Sequence, residues 1–579
     1  METVAPLDSF NTFQGYSSSE SNTNNRSSLS RTPSFLNSNL EIRNTDDINH
    51  HFKHLLPFSI EIMDKIIGYA YYLDAPNVIH EGDSNSDEFH NEKITIPIDS
   101  SNLTKGRYSN LHNLMQVNSG FHFLCLQYQY RYAKFIRSFN FSKFLFNLIN
   151  TNDLGNYVKF LDFQEFTAVG LGKSVENIVK IPNLTSVTLL KCLQLCRCNL
   201  STLLLSESID TDIDYEIIDF IFNGLKSLRN LDFCGISNNS LIEYFQRLRI
   251  NETLKIENLS FHECMNIPTT IFEKILLSAD NLKRLDLSHT QITLESLISS
   301  LSPNIRLTHL SLRKCAQLGT IKELFKLLQH PSIAGDELEP SQMIWLNIQH
   351  CFSSDTLTGE RIDKLVDVLS DNAPNLKYLN MNGYANVNTD HLLKISENFR
   401  NLESLSLSDL NINYWDFKDL EILKNLSNIQ NLKFLDFSNS LYNFTNLKTI
   451  IEHTNVLVLE VKPRLSDLLS HIFQVKSQFW RVFNNKGISR RCWVHLLNNI
   501  KESEYFDNYE NEMSGSRLVE WNSNGDLVLR KIKKVDWLGL ACVKVNCFSD
   551  PCDENSEIDK DFGNDKSVRG LYKYYALNV

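Results

Sequence analysis

The 579-residue chain has no excess of basic residues: 57 Lys and Arg stand against 69 Asp and Glu, a net charge of -12. Proteins that track a phosphate backbone concentrate Lys and Arg to displace counterions, so nucleic acid is not expected as a direct partner. Met1 to Phe10 has no basic start followed by an apolar stretch, and no apolar run approaches the roughly 20 residues that span a bilayer. No membrane partner is expected, and the expected location is cytoplasmic or nuclear. Twelve cysteines are few for this length, and in a reducing compartment they remain thiols that pack as small hydrophobes. There is no phosphate-cradling glycine loop, no His-Glu-x-x-His helix and no Gly-x-Ser-x-Gly elbow, and the 16 His residues show no metal-ligand spacing. The chain therefore reads as neither an enzyme nor a holder of cofactors or metals.

What is present is repetition. From Val158 onward one pattern recurs: an apolar residue, two variable positions, an apolar residue, one variable position and a third apolar residue. It starts at Val158, Leu184, Leu200, Leu228, Ile256, Leu282, Leu307, Met343, Leu376, Leu402, Leu432 and Val456, with Leu184 to Leu200 too close for both to be strand starts. This is the strand signature of leucine-rich repeats, and most intervals leave room for a strand, a turn and a returning helix. Pro268-Thr269-Thr270-Ile271-Phe272-Glu273-Lys274-Ile275-Leu276 reads as such a helix, with apolar residues at helical spacing after a Pro and hydroxyl start. The fold class expected is α/β, a leucine-rich-repeat solenoid over 136–462. Cys192, Cys264, Cys315 and Cys351 each fall three residues after the last apolar position of their pattern, and one thiol per repeat at a fixed phase points to interior packing rather than to a metal.

Residues 1–50 are rich in Ser, Asn and Thr with few branched apolar residues, the composition of a disordered tail; Arg31-Thr32-Pro33-Ser34 within it is open to a kinase. Residues 51–135 carry helical patterns at Ile60, Met63, Ile67 and Ala70, where Ser59 can cap the first turn, and at Leu111, Leu114, Val117, Phe121 and Leu124. A polar insertion over 74–106, expected to be disordered, separates the two. By periodicity alone this is a small helical bundle, or a cap over the first repeat. Residues 463–579 form a small α+β extension, with a hairpin expected from Leu518 to Leu529 around Asn522-Ser523-Asn524-Gly525-Asp526 and an acidic loop from Asp550 to Asp565.

Leu56-Pro57, then Glu61-Ile62-Met63-Asp64-Lys65-Ile66-Ile67, then Leu114-Met115-Gln116-Val117-Asn118-Ser119-Gly120-Phe121 resemble an F-box. The layout is similar to that of F-box proteins with leucine-rich repeats. Phe479-Trp480-Arg481, Arg491-Cys492-Trp493-Val494 and the closing Gly570-Leu571-Tyr572-Lys573-Tyr574-Tyr575 resemble the carboxyl-terminal extension of a fungal subgroup of them. The resemblance implies that the F-box docks on the Skp adaptor of an SCF-type cullin-RING ubiquitin ligase while the repeats hold a target protein. The adaptor-facing residues would be Leu56, Pro57, Ile60, Ile66, Val117 and Phe121. A protein-interaction scaffold without ubiquitination, or a GTPase regulator, is the alternative.

In a strand of this kind the residues between the leucines face the concave surface. Arg284, His309, Trp345, Tyr378, Ser404 and Phe434 share one phase, and Arg313 lies in a neighbouring row. The target-binding set read from these rows is Arg284, His309, Arg313, Trp345, Tyr378 and Phe434, centred on an exposed pair, Trp345 and Tyr378, on strands about 4.8 Å apart. The competing expectation is that a loop or the carboxyl-terminal extension covers that pair.

Overall fold

In the computed structural model, the described residues are 58–73, 109–163, 166 and 184–407 with breaks of one or two residues, and short segments between 429 and 531. The expected tail 1–50 and insertion 74–106 lie outside them.

Three helices open the described chain: α1 (Ile60–Leu73), α2 (Ser109–Met115) and α3 (Ser119–Arg131). Met63 and Ile67, one turn apart on α1, bury against Leu111 of α2 and Leu124, Cys125 and Tyr128 of α3, so the bundle has a small core of its own. Asn118 caps α3 by accepting the Phe121 N–H at 3.0 Å. The Tyr128 hydroxyl donates to the Asp64 carboxylate at 3.0 Å and ties α3 back to α1.

α3 runs directly into β1 (Tyr132–Lys134), the first of twelve parallel strands. They continue as β2 (Phe160–Asp162), β3 (Thr202–Ser206), β4 (Asn230–Cys234), β5 (Asn258–Ser260), β6 (Arg284–Asp286), β7 (His309–Ser311), β8 (Trp345–Asn347), β9 (Tyr378–Asn380), β10 (Ser404–Ser406), β11 (Phe434–Asp436) and β12 (Val458–Val461). Each pairs with the next in sequence. Such an array is a leucine-rich-repeat solenoid, and the strand lies two residues after each apolar start expected from Val158 and from Leu200 to Val456. Leu184 is the exception, because it precedes a helix, Ser186–Cys196, rather than a strand. β1 was not expected; Tyr132–Lys134 lacks the leucine frame.

After β12 the sheet turns antiparallel. β14 (Cys492–Leu497) pairs with β12, followed by β13 (Phe479–Asn484), β15 (Arg517–Trp521) and β16 (Leu527–Lys531). β15 and β16 pair antiparallel where a hairpin was expected, with Val519 opposite Leu529; the turn between them lies outside the described residues.

The consensus leucines and the returning helices form one core running from Ala133 to Phe437. Thr320 and Glu323 cap a return helix reciprocally: the Thr320 N–H donates to the Glu323 carboxylate at 2.7 Å, and the Glu323 N–H donates to the Thr320 hydroxyl at 3.4 Å. The helix expected from Pro268 spans Thr269–Leu276 and buries Ile271, Phe272, Ile275 and Leu276.

Strands β5 to β9 each end in one recurring device. Glu263, His289, Lys314 and His350 have φ between 50° and 64°, and Gly383 has φ 93°. At this left-handed position the backbone N–H swings toward the following repeat: that of Lys314 donates to the Gln349 carbonyl, and that of His350 to the Asn382 carbonyl, both at 2.9 Å. In three repeats the next residue is a cysteine whose thiol donates back. Cys264 reaches the Phe233 carbonyl at 2.8 Å, Cys315 the Leu287 carbonyl at 3.0 Å and Cys351 the Leu312 carbonyl at 2.9 Å. The fixed cysteine phase is therefore a hydrogen-bonded ladder between repeats. Cys192 does not share it; it is buried in the helix Ser186–Cys196.

Candidate functional site

Two surfaces carry the residues singled out from the sequence. On the bundle, Ile62 and Ile66, one turn apart on α1, lie on a different face from Met63 and Ile67, Phe58 stands just before the helix, and all three are exposed. Val117, in the turn between α2 and α3, is 59% exposed. Large apolar groups at such positions are unusual on an isolated surface. Of the expected adaptor-facing residues, Ile66 and Val117 lie at this exposed face. Ile60 and Phe121 do not; both are half-buried against the bundle core, because they fall on the stripe shared with Met63 and Leu124. Leu56 and Pro57 lie outside the described residues. Phe58 and Ile62 were missed, although the legible signal was that α1 is apolar on more than one face.

On the sheet, the residues between the leucines form rows in exact register. One runs Asn258, Arg284, His309, Trp345, Tyr378, Ser404 and Phe434, and the next runs Ser260, Asp286, Ser311, Asn347, Asn380, Ser406 and Asp436. Trp345 stacks on Tyr378 with ring centroids 4.6 Å apart and planes within 5°, and His309 follows at 6.1 Å. The expected adjacency of the two rings is present, but their expected exposure is not. Trp345 is 1% exposed and Tyr378 4%. His309, Arg284 and Arg313 are buried as well. All five residues make further polar or ring contacts beyond those named. The open target-binding surface expected at Arg284, His309, Arg313, Trp345 and Tyr378 is thus closed, since strand alternation decides which way a side chain points but not what lies over it. Phe434 has its backbone in β11; its side chain lies outside the described atoms.

Toward the amino-terminal side the same face holds a buried charged cluster. His262 Nδ1 lies 3.4 Å from an Asp232 carboxylate oxygen and 2.9 Å from the Ser260 hydroxyl. Burial pulls the imidazole down, but Asp232 and Cys234 beside it outweigh burial and hold it well above its ordinary value. Asp286, in the row of Ser260, accepts the Ser288 N–H at 2.9 Å. Its burial pushes the carboxyl up to about 7, with the His262 charge acting in opposition. No group of His, Cys, Asp and Glu among the described residues has the geometry to hold a metal ion. No described helix is long and apolar enough to cross a membrane.

Against known proteins, no family model matches. A curated protein of Saccharomyces cerevisiae, the F-box protein YLR352W, is 27% identical over 508 residues, which cover 77% of this chain and 62% of that protein. The chain is a relative of an F-box protein. It spans under two thirds of that relative's length. Among solved structures, the yeast complex of Rad7 and Elc1 is similar at a TM-score of 0.40 with 14% identity, covering 72% of this chain and 90% of that one. The leucine-rich-repeat protein LegL7 of Legionella pneumophila is similar at 0.29 with 13% identity, covering 53% and 96%. The F-box-like residues and the repeats thus occur together in a chain with an F-box relative, the arrangement expected from the sequence.

Proposed function

We propose that this chain is the substrate-recognition subunit of an SCF-type ubiquitin ligase, docking on a Skp adaptor, and through it a cullin, by its helical bundle and holding a target protein on its repeats. The observation that carries this reading is the exposed row Phe58, Ile62 and Ile66 with Val117 on a bundle that already has its own core. A helix that buries Met63 and Ile67 gains nothing in folding from a second apolar row. That row is accounted for if a partner covers it. The F-box relative favours the adaptor as that partner.

Such a subunit makes and breaks no bonds. Its contribution is proximity, which raises the effective concentration of target lysines near the charged ubiquitin-conjugating enzyme, in the cytoplasm or nucleus. The test is co-purification of the full chain with a Skp-class adaptor. Replacing Ile62 and Ile66 together by Asp is expected to abolish capture, because charges placed in an apolar interface lose hydration without gaining a partner. Capture of the adaptor at the parent level by this double variant would overturn the assignment.

A further inference from the structure

The loops that lead into β3, β4, β5 and β6 stack into one continuous edge of the solenoid. They are residues 197–201, 223–229, 247–257 and 278–283, and each is bonded to the next. The Ser227 hydroxyl donates to the Cys198 carbonyl at 2.8 Å, and the Asn223 side chain donates to the Arg249 carbonyl at 2.8 Å while accepting the Asn251 N–H at 3.1 Å. The Leu254 N–H donates to the Ser278 carbonyl at 2.7 Å. Directly before the strands, the Arg229, Glu257 and Lys283 N–H groups each donate to the carbonyl at the same place in the preceding loop, so the loops keep the register of the sheet.

In a chain with a net charge of -12 this edge is basic, its four loops holding seven Lys and Arg against three Asp and Glu. All seven basic residues are exposed. Three of them are matched across repeats: Lys226 meets Glu252 at 2.7 Å, and Arg229 and Lys283 meet the two oxygens of Glu257 at 2.5 and 3.1 Å. Arg247 reaches Glu243 of its own helix only at 3.9 Å. Arg197, Arg249 and Lys255 form no ion pair among the described residues. Like charges gathered on one surface repel one another and add nothing to folding, whereas a partner that brings carboxylates relieves that repulsion and is drawn to the edge by it.

We propose that this edge, across the loops before β3 to β6, docks an acidic polypeptide segment whose carboxylates are taken by Arg197, Arg249 and Lys255. That the segment belongs to a ligase target rests on the function proposed above; the surface itself does not. Three steps between loops cover about 14 Å at the strands and about 30 Å where packed helices set the spacing, so an extended segment of roughly four to nine residues crosses it. What stands among the basic residues favours polypeptide over nucleic acid. Glu252, Glu257 and Asp280 are fixed in the same loops, where they oppose a strand charged at every nucleotide but leave room for a peptide charged only at some positions. The four loops also hold no aromatic residue on which a base could stack.

The experiment titrates a fluorescein-labelled peptide of alternating Glu and Ser, about twelve residues long, with the full chain and reads fluorescence anisotropy at about 50 mM salt, where exposed charges are weakly screened. A Lys-Ser peptide and an oligothymidylate of the same length are the comparison probes. Saturable binding of the Glu-Ser peptide in preference to both is expected, and Arg249→Glu with Lys255→Glu should weaken it about tenfold. Glu252→Gln, which releases Lys226 to the partner, should tighten it about twofold, a gain that a folding defect does not produce. No saturable binding of the Glu-Ser peptide, equal binding by the charge-reversed variant, or equal or tighter binding of either comparison probe overturns the proposal. None of the probes contains an adaptor, so failure of the ligase reading leaves this result standing.

Discussion

At the scale of single residues, the structure turns two sequence features into measurable behaviour. The thiols of Cys264, Cys315 and Cys351 are held by backbone carbonyls of the preceding repeat, and burial pushes that of Cys315 up to about 12. At pH 8 iodoacetamide should therefore modify the exposed Cys198 in the native protein and reach Cys315 only after urea unfolding, as peptide mass spectrometry would read; rapid native labelling of Cys315 would contradict the ladder. Asp286 gives a pH dependence with a definite sign. Its folded carboxyl titrates near 7, whereas an unfolded one titrates near 3.9. Between those values the folded chain holds a proton that the unfolded chain has released, so stability falls as pH rises. The raised His262 acts in the same direction, its contribution being present at low pH and lost as pH rises through its folded value. Asp286→Asn should flatten the fall in urea midpoint between pH 5 and pH 8 and leave the variant more stable than the parent at pH 8. An undiminished slope would mean that Asp286 is ionised throughout.

At the scale of elements, α1 lets folding be tested apart from the proposed docking, because its buried and exposed apolar residues lie on different faces. Met63→Asp places an unpaired charge in the bundle core and should melt α1 to α3, lowering helix content; Ile62→Asp with Ile66→Asp should leave the melting curve nearly unchanged while adaptor capture is lost. A matching loss of structure in both would show that the exposed row is part of the core. The turn that ends each of β5 to β9 is equally specific. Gly383 has φ 93°, and a Cβ there would strike the His350 ring, so Gly383→Ala should cost on the order of 1 kcal/mol or more, read from urea unfolding. These elements differ in how plainly the sequence shows them. Strands from Leu200 to Val456 were legible because three apolar residues at fixed offsets must all face one core. Leu184 satisfied the same offsets by coincidence in a segment that forms a helix, and β1 went unseen because its Tyr132, Ala133 and Lys134 join the sheet by backbone pairing without the leucine frame. Of the adaptor-facing residues expected, Ile66 and Val117 are exposed while Ile60 is half-buried, since a short helix with apolar residues on two faces does not declare which one turns inward.

At the scale of the whole molecule, the concave face shows where sequence reasoning stops. Alternation along a strand is local, and it put Arg284, His309, Trp345 and Tyr378 in one row; the burial of that row is not encoded by any repeat pattern. The difference decides what a truncation there will do. Trp345 is among the largest fully buried side chains, stacked on Tyr378 and followed by His309 in the middle of the array. An exposed interaction aromatic would lose partner affinity on truncation and leave folding alone. A buried one opens a cavity, and Trp345→Ala should cost about 3 to 5 kcal/mol. In a solenoid, stability is carried by interfaces between neighbouring repeats, so a lesion at β8 weakens the coupling of β1–β7 to β9–β12 more than either flank by itself. The expected result is a lower urea midpoint with a broadened or split transition, whereas Trp345→Phe, which keeps the ring stack on Tyr378, should retain a single transition near the parent's. Parent-like unfolding of Trp345→Ala together with loss of target capture would restore Trp345 to an open binding surface.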